Sequence, residues 1–467
     1  MSPSHAKPAL AIALLTTGVW LFAPAPADLT PDAWHLALIF GATILCVLSN
    51  ALPIFTAAIS AAAVAVLTGV MTPSQAYRGF SESFILLIVA ALLVAKAVVK
   101  SGLGNRIAWM IISRFGHSTL GLAYSLVAAD LCIAPAFPSN TARAGVLYPI
   151  AKSLALGLDS RPDPASRKRV GAFLMMTGIV SLTVSSTLWL TAMAGNAAGV
   201  AMAGNGGVEI SFGRWLLNAS LPCLAAAALL PWLLYRWFPP ELNQTPGATA
   251  TARDNLRQMG RLSRAEWITA VTFCVMVLLW ALAGKMGTDL AAIAFGGLAL
   301  LLIFGIYDLK DLQREGSALE VLVWFAILFA MSTALNEMGF MRWLGAQIAA
   351  QVEALAWPQV YAILLAAYIG IHYFFVSQTA HLLALFPVFL EVGTASGVPA
   401  SLMALGLLFS TNYFSALTPQ ASSANVIFAG TGYLQMKEIY RVGLLVTIAN
   451  TLIIGGAGAL WILALNR

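Results

Sequence analysis

Apolar runs long enough to cross a lipid bilayer recur along the whole chain of 467 residues. A membrane-spanning helix needs about 20 mainly apolar residues. Charged residues make up 9% of the chain, whereas soluble domains carry roughly 25%. A soluble fold of this size cannot hide so many apolar side chains, so lipid must solvate much of the chain. About 11 runs are predicted to span the membrane, at 9–22, 34–48, 52–70, 83–99, 171–200, 216–237, 267–283, 290–306, 321–335, 402–429 and 443–463.

The net charge of +6 does not indicate nucleic-acid binding, because basic residues in membrane proteins mainly set the orientation of the helices. The cysteines Cys46, Cys132, Cys223 and Cys274 all lie in apolar stretches and form no C-x-x-C motif. We therefore expect them to be small buried hydrophobic residues rather than disulfides or metal ligands.

The distribution of lysine and arginine predicts the orientation of the chain. If every predicted run crosses once, most of these residues fall on the side of the N-terminus. The positive-inside rule then places the N-terminus in the cytoplasm and the C-terminus outside. Small residues at 23–27 resemble a signal-peptidase site, but only Lys7 gives a firm positive charge before the first run, so we expect that helix to be retained. No transit peptide precedes it, which favours a bacterial cytoplasmic (inner) membrane.

Two stretches, 119–158 and 360–392, are apolar but interrupted in their middles. Each is predicted to be a re-entrant hairpin, which enters the membrane and returns to the same side. The segments 102–116 and 341–351 have helical apolar spacing with scattered charge and are expected to lie along the membrane interface. The predicted all-α chain comprises an N-terminal helix and loop (1–33), a first repeat (34–237), a polar cytoplasmic linker (238–266) and a second repeat (267–467).

The interruptions of the two hairpins match each other. Residues 139–150 read SNTARAGVLYPI and residues 377–388 read SQTAHLLALFPV, aligned without a gap. Ser, Thr, Ala, Leu and Pro are identical at corresponding positions. In the predicted topology the first hairpin opens to the cytoplasm and the second to the outside. The two halves are therefore expected to be inverted repeats, as in many secondary transporters.

The polar residues of these interruptions predict an anion site. A Ser-x-Thr turn inside an apolar stretch cannot face lipid, because each free backbone group would cost several kcal/mol. Serine, asparagine and threonine cap helix N-termini well, so each tip is expected to start a half-helix whose free N–H groups and positive dipole end face a cavity. Two tips meeting at mid-membrane would bind an anion with two carboxylates. The expected contacts at the tips are Ser139, Asn140, Thr141, Ser377, Gln378 and Thr379.

Each hairpin is followed by a long helix that is also interrupted, at Gly195 in the first half and at Thr418 and Pro419 in the second. Glycine weakens a helix, and proline removes a backbone hydrogen bond. The freed carbonyl groups are expected to border the cavity and could bind a cation such as sodium beside Asn140 or Thr418. Close packing of helices is the alternative explanation for these residue types.

Two ionisable residues, Arg143 and His381, follow the tips by one helical turn. A buried arginine is expensive in a membrane, which makes Arg143 a functional candidate. It is expected to pair with a substrate carboxylate, or instead with a protein acid such as Asp130. His381 is expected to donate to an anion, to titrate with a coupled proton, or to be a packing histidine.

At these residues the chain resembles the divalent anion:sodium symporter family, whose members carry Ser-Asn-Thr at each hairpin tip followed by a broken helix. The residues from Pro138 to Gly145 and from Ser377 to His381 are similar to one branch, the bacterial citrate and tartrate exchangers and the plastid oxoglutarate/malate translocators. The resemblance covers essentially the whole chain. It implies an elevator-type homodimer whose moving domain carries both hairpins. It also implies that the tips touch substrate carboxylates, and that in sodium-coupled members Asn140 and the Gly195 backbone line a sodium site.

Gln378 departs from the family pattern, because sodium-coupled relatives have asparagine there. The longer amide is expected to displace an oxygen that a second sodium ion needs. The sequence therefore favours exchange of di- or tricarboxylates such as succinate, malate, oxoglutarate, tartrate and citrate. Sodium-coupled dicarboxylate symport is the alternative, in which Na⁺ is the coupling ion, and an inorganic oxyanion is a further possible cargo.

Two other classes of protein fit the sequence less well. An intramembrane enzyme with Ser377 as nucleophile and His381 as base would need an oxyanion hole and an orienting acid, which the sequence does not indicate. No catalytic residue is therefore predicted. A channel would not need discrete binding tips.

Overall fold

A computed structural model describes residues 3–313, 316–351 and 354–466, and these residues form helices without a β-strand. Eight helices are long and apolar enough to span a membrane alone, and shorter apolar helices occur at 7–22, 54–67 and 290–303. The expected all-helical, multi-pass architecture is confirmed. The first half comprises α1 (Pro3–Phe22), α2 (Pro31–Leu48), α3 (Ile54–Leu67), α4 (Pro73–Tyr77), α5 (Ser83–Ser101), α6 (Leu103–Phe115), α7 (Thr119–Ile133), α8 (Asn140–Gly157), α9 (Gly171–Leu188), α10 (Ala194–Asn205) and α11 (Phe212–Trp237).

The second half repeats this order after one connecting helix. Its last crossing is a continuous helix with a π-helical segment, Thr451–Ala457, in the middle. The connecting helix is α12 (Pro246–Met259), and the rest are α13 (Arg264–Met286), α14 (Leu290–Ile303), α15 (Leu309–Gln313), α16 (Gly316–Glu337), α17 (Phe340–Ala349), α18 (Trp357–Ile371), α19 (Gln378–Ala395), α20 (Ala400–Tyr413), α21 (Ser423–Ala429), α22 (Met436–Asn450) and α23 (Gly458–Leu465).

The first interrupted stretch forms a hairpin of α7 and α8, joined through a 3₁₀ turn at Ala134–Ala136. Both open ends of this hairpin touch the segment that follows α11. The Thr119 hydroxyl donates to the Leu242 carbonyl, and a Cβ on Gly157 would lie 3.3 Å from the Thr251 hydroxyl oxygen. The chain therefore enters and leaves on one side, as a re-entrant hairpin does.

The second interrupted stretch forms the hairpin of α18 and α19. One open end lies beside α17, because Glu391 of α19 packs on Gly345 of α17, where an added Cβ would be 2.7 Å from Glu391 Cγ, and the other open end is the start of α18, the next helix after α17 in the chain. The crossings between the hairpins are α9–α10, α11, α13, α14 and α16, an odd number. The two hairpins therefore open to opposite faces.

Polar contacts between distant segments agree with this alternation of crossings. Arg78, just before α5, donates to Glu337 at the end of α16, with 2.8 Å between Nη1 and Oε1. On the opposite face Arg167, just before α9, donates to Glu438 at the start of α22, also at 2.8 Å. One crossing more or fewer would separate such partners by the thickness of the hydrocarbon core, about 30 Å.

A glycine with the same backbone conformation lies at the corresponding turn between two helices in each half. Gly102 joins α5 to α6 with φ 81° and ψ 0°, and Gly339 joins α16 to α17 with φ 83° and ψ 1°. This left-handed conformation costs glycine little and other residues more. Each glycine lets a spanning helix turn directly into the helix that leads to a hairpin.

The segment 238–266, predicted to be a polar linker, is more structured than the prediction. It contains α12, and α13 already begins at Arg264. The Arg106 side chain of α6 ties these elements together, because it donates to Glu266 (Nε–Oε1 2.6 Å) and to the Gly260 carbonyl (3.0 Å). The composition of this segment predicted a linker because α12 carries a polar face. The few buried side chains of α12 nevertheless hold it as a helix against α6.

We expect Arg106→Ala to destabilise the protein strongly. The side chains of Arg106 and Glu266 are only 9% and 4% exposed, and removing one partner of a buried pair costs about 3–5 kcal/mol. Thermal unfolding in detergent should show a lower midpoint. Arg257→Ala is the matched control, because its pair with Asp254 is 80% and 61% exposed and exposed pairs contribute little. Equal midpoints for the two variants would contradict the assignment.

The expectation that all four cysteines are buried is wrong for two of them. Cys46 and Cys223 are buried, but Cys132 and Cys274 are exposed, and all four are free thiols. Apolar sequence context does not distinguish the protein interior from a lipid-facing surface, since both environments accept a small hydrophobic side chain.

Candidate anion-binding site

The tips of the two hairpins meet. The Asn140 side chain at the start of α8 donates to the Gln378 side chain at the start of α19, with 3.0 Å between Nδ2 and Oε1. The preceding serines cap both helices, since Ser139 Oγ accepts from the Ala142 N–H and Ser377 Oγ accepts from the Ala380 N–H, each at 3.3 Å. The residues that match in sequence thus also face each other in space.

The interrupted helices behind the tips are built alike. In the first, the Asn196 side chain donates to the carbonyls of Ser186 and Trp189, at 3.0 and 3.3 Å. In the second, Asn425 donates to the carbonyls of Ser415 and Thr418, at 2.6 and 3.0 Å. Each asparagine reaches the same distance back along its chain. These amides satisfy carbonyl groups that the interruptions leave free.

A cavity of about 290 Å³ lies where the tips and the interruptions converge. Four helices begin at its wall, namely α8, α10, α19 and α21. The first residues of each helix present backbone N–H groups without an intrahelical partner. The cavity is lined by Leu92, Pro138, Ser139, Asn140, Thr141, Met193, Ala194, Val321, Trp324, Val376, Ser377, Gln378, Thr379, Ser422 and Ser423.

Each tip also contacts the interruption of the other half. Thr141 of the first tip lies 2.6 Å from Ser423 of the second interruption, oxygen to oxygen. Thr379 of the second tip faces Gly195 of the first, where an added Cβ would be 3.5 Å from the Thr379 hydroxyl oxygen. Both halves therefore contribute to each side of the cavity. The walls carry neutral hydroxyl, amide and backbone groups, and no Lys, Arg, His, Asp or Glu is among the described residues that line it.

Arg143 lies behind the cavity rather than in its wall. The arginine and Asp130 are both fully buried, with 3.6 Å between Nη1 and Oδ1. The guanidinium also donates to Ser185 at 2.9 Å, to Ser186 and to the Asn140 amide oxygen. Of the alternatives for Arg143, the structure has it paired with a protein acid, and in this conformation protein groups surround its charge.

His381, Thr418 and Pro419 also lie outside the cavity wall, although the sequence grouped them with the tips. His381 is fully buried among aromatic rings, with centroids 4.3 Å from Tyr368 and 5.1 Å from His372. Within the described chain neither of its ring nitrogens has a hydrogen-bond partner. Thr418 is buried, and its carbonyl is capped by Asn425.

The sodium site expected at Asn140 and the Gly195 backbone does not fit these residues. The Asn140 amide oxygen already accepts from Arg143 and from the Ser186 hydroxyl, the latter at 2.7 Å. A fixed guanidinium on the same oxygen also repels a second cation. Among the described residues there is no group of three His, Cys, Asp or Glu that could hold a metal ion.

Several wall residues were missed in the sequence. Ser422 caps α21, accepting from the Ala424 N–H at 3.4 Å, just as the tip serines cap their helices. The Ser-Ser pair after Pro419 is the signal in the sequence that points to these residues. Trp324 and Val321 come from α16, which reads as an ordinary apolar run. Nothing in the sequence shows which side of α16 faces the cavity and which side faces lipid or protein.

The comparison with known families agrees with this architecture. A family model described as "Sodium:sulfate symporter transmembrane region" matches residues 4–466. The chain belongs to this family, also called the divalent anion:sodium symporters. Its members and relatives are transporters rather than enzymes, and the family resemblance of the sequence is confirmed.

Relatives of this protein match over nearly its full length. It is 39% identical over 443 residues to Dicarboxylate transporter 2, chloroplastic, of Spinacia oleracea, covering 94% of this chain and 78% of that protein. It is 36% identical to the Putative malate transporter YflS of Bacillus subtilis (strain 168), covering 96% of this chain and 95% of that protein. It is 29% identical to the Citrate/succinate antiporter of Escherichia coli (strain K12), with 92% of both covered.

Among solved structures, the Alcanivorax borkumensis YdaH transporter has a TM-score of 0.56 to this chain at 13% identity, covering 98% of this chain and 97% of that chain. Neisseria gonorrhoeae MtrF has a TM-score of 0.58 at 11% identity, covering 96% of this chain and 97% of that chain. At such identities the likeness concerns the fold.

Proposed function

We propose that this protein carries compact di- or tricarboxylates across a bacterial cytoplasmic membrane and that it works by anion exchange. The observation that carries the proposal is the convergence of four helix N-termini on one neutral-walled cavity between the hairpin tips. The names of the relatives, which include dicarboxylate, malate and citrate/succinate transporters, support this class of cargo.

The electrostatics of the cavity suit a dianion. The N-terminus of a helix carries the equivalent of roughly half a positive charge, so the N-termini of α8, α10 and α19 together favour a multiply charged anion, and the short α21 adds free N–H groups. The free N–H groups and the hydroxyls of Thr141 and Thr379 are the donors for the two carboxylates, one at each tip. Binding by dipoles and neutral donors also leaves no fixed side-chain charge in the wall that would hold the anion after the cavity opens.

The position of Arg143 supports exchange over sodium symport. Sodium-coupled transport needs a cation beside the tip that binds and leaves with the cargo. Here the Arg143 guanidinium, whose charge Asp130 compensates, already occupies the Asn140 oxygen. Because this oxygen is not free for a cation that binds and leaves with the cargo, a second anion is the natural partner for the return step. Sodium-coupled dicarboxylate uptake remains the second candidate because of the family description.

The transport cycle that we propose is alternating access with the two hairpins moving together. The tip-to-tip bond between Asn140 and Gln378 supports movement as one unit, since separating the tips would break it. We further propose a homodimer with the N-terminus in the cytoplasm and the C-terminus outside. The positive-inside count and the inner-membrane relative YbhI of Escherichia coli support the location and the orientation.

Counterflow in proteoliposomes tests the proposal. Vesicles are preloaded with succinate, malate, tartrate, citrate or sulfate, and uptake of labelled succinate is measured with and without external sodium. We expect uptake that requires an internal carboxylate and is unchanged by sodium. Sodium-dependent uptake into empty vesicles would overturn exchange. Absence of labelled succinate uptake with every internal anion, together with uptake of labelled sulfate into sulfate-loaded vesicles, would overturn the carboxylate assignment in favour of an inorganic oxyanion.

A further inference from the structure

A groove with one cationic and one apolar end runs along the outside of α22 and shares no lining residue with the hairpin cavity. Its volume is about 750 Å³. The wall opposite α22 is the second half of α18, and the floor includes Leu417 of the second interruption. The groove is lined by Ala366, Ile369, Gly370, Tyr373, Leu417, Lys437, Tyr440, Arg441, Leu444, Thr447, Ile448, Thr451 and Leu452.

The residues of α22 that face the groove change character along the helix. The cations Lys437 and Arg441 lie in its first two turns, and Leu444, Ile448 and Leu452 continue the same helical face. Those three apolar side chains are 50%, 48% and 68% exposed. The groove is therefore polar at the membrane face and apolar toward the membrane centre.

Both cations are available to a ligand. Lys437 and Arg441 are exposed, and within the described chain neither makes a hydrogen bond or an ion pair. The neighbouring carboxylate, Glu438, is already paired with Arg167 and lies outside the groove. Tyr373 and Tyr440, with ring centroids 6.0 Å apart, border the cationic end. Tyrosine is enriched at the membrane interface, where its ring meets hydrocarbon and its hydroxyl meets headgroups.

The length of the apolar part matches one leaflet of a bilayer. Eleven residues separate Arg441 from Leu452, which corresponds to roughly 16 Å along a helix at 1.5 Å per residue. Half the thickness of a hydrocarbon core is about 15 Å. The groove thus ends near the membrane centre, beside the π-helical segment Thr451–Ala457. An extended acyl chain whose phosphate sits at the cations would reach this point.

We propose that the groove between α18 and α22 binds an anionic phospholipid, with its phosphate at Lys437 and Arg441 and an acyl chain along Leu444, Ile448 and Leu452. Basic pockets between helices at a membrane face recognise anionic headgroups. The two unpaired cations select an anionic lipid over a zwitterionic one, since nothing acidic lines the groove to hold a choline group. The site is separate from the carboxylate cavity and does not depend on the proposed function.

The preference for an anionic headgroup is tested by native mass spectrometry. The delipidated full-length protein is mixed with phosphatidylglycerol or with phosphatidylcholine, and the binding of each lipid is measured. We expect the double variant Lys437→Gln/Arg441→Gln to bind phosphatidylglycerol about 25-fold more weakly, since each charge contributes a factor of about five. Phosphatidylcholine binding should not change. Arg253→Gln/Arg257→Gln on α12 is the control, since both of its arginines are exposed on the same predicted face. Equal losses in the two double variants, or equal losses for both lipids, would overturn the site.

A second variant tests the apolar half without removing charge. Gly370 lines the groove, and a Cβ built on it meets nothing within 4 Å, so a leucine there can start into the groove, and Gly370→Leu is expected to occupy part of it. We expect it to reduce phosphatidylglycerol binding. Gly296→Leu in α14, also exposed and free of neighbours, is the control. Displacement of the lipid by millimolar inorganic phosphate would overturn the proposal in favour of a free anion. A change in oligomer mass with unchanged lipid binding would overturn it in favour of a second copy of this chain.

Discussion

Asp130→Ala is expected to lower the free energy of unfolding by about 3–5 kcal/mol, because it leaves the fully buried Arg143 without its carboxylate. The two side chains are 0% exposed, so water cannot replace the lost partner. The measurement is denaturant unfolding of the purified protein in detergent.

The double variant Asp130→Ala/Arg143→Met separates charge from packing. Replacing both members of a buried pair by apolar groups is often neutral in stability, so the double variant should recover most of the loss. Recovery would show that the uncompensated charge, rather than the cavity left by alanine, destabilises the single variant. A double variant as unstable as Asp130→Ala would contradict this account.

Thr141→Val and Thr379→Val are each expected to weaken carboxylate binding by roughly 10- to 150-fold. Both hydroxyls belong to residues that line the cavity, one from each tip. A hydrogen bond to a charged group is worth about 1.5–3 kcal/mol, and each 1.4 kcal/mol is a factor of ten in affinity. Valine keeps the shape of threonine, so the change removes one donor without opening a void.

Binding of labelled succinate to the purified variants provides the measurement, and their thermal midpoints show whether folding is intact. Thr177→Val is the matched control, since Thr177 is buried in α9 and its hydroxyl bonds only along its own helix, to the Phe173 carbonyl at 2.8 Å. Wild-type affinity in both tip variants would remove the tips from the site. Loss in one variant alone would indicate a cargo held at one tip.

The positions of the hairpins were predictable from the sequence because polar turns cannot face lipid. The Ser-x-Thr turns at Ser139 and Ser377 lie inside apolar stretches, and the backbone groups they free must face protein or water. The N-cap preference of serine then fixed where α8 and α19 begin. The crossings followed from run length and charge, which depend only on local composition.

The composition of the cavity wall was not predictable in the same way. Ser422 and Trp324 enter it from segments far apart in sequence, and whether an apolar helix faces lipid, protein or a cavity leaves no local trace. The same limit explains why exposed Cys132 was expected to be buried. The polar surface of α12 likewise suggested a loop, although its packing on α6 makes it a helix.

The sequence by itself determined that much of the chain is solvated by lipid. It also determined how many interruptions the apolar stretches have, where they lie and how they match between the halves, because these follow from the free energy of each residue in lipid. Only the tertiary structure decided which charges meet. Arg143 was expected either at the substrate or at a protein acid, and the packing of α8 against α7 and α9 brings Asp130 and Ser185 to it. Coulomb attraction and hydrogen bonding act over a few ångströms, so partners distant in sequence are chosen by the packing that brings them together.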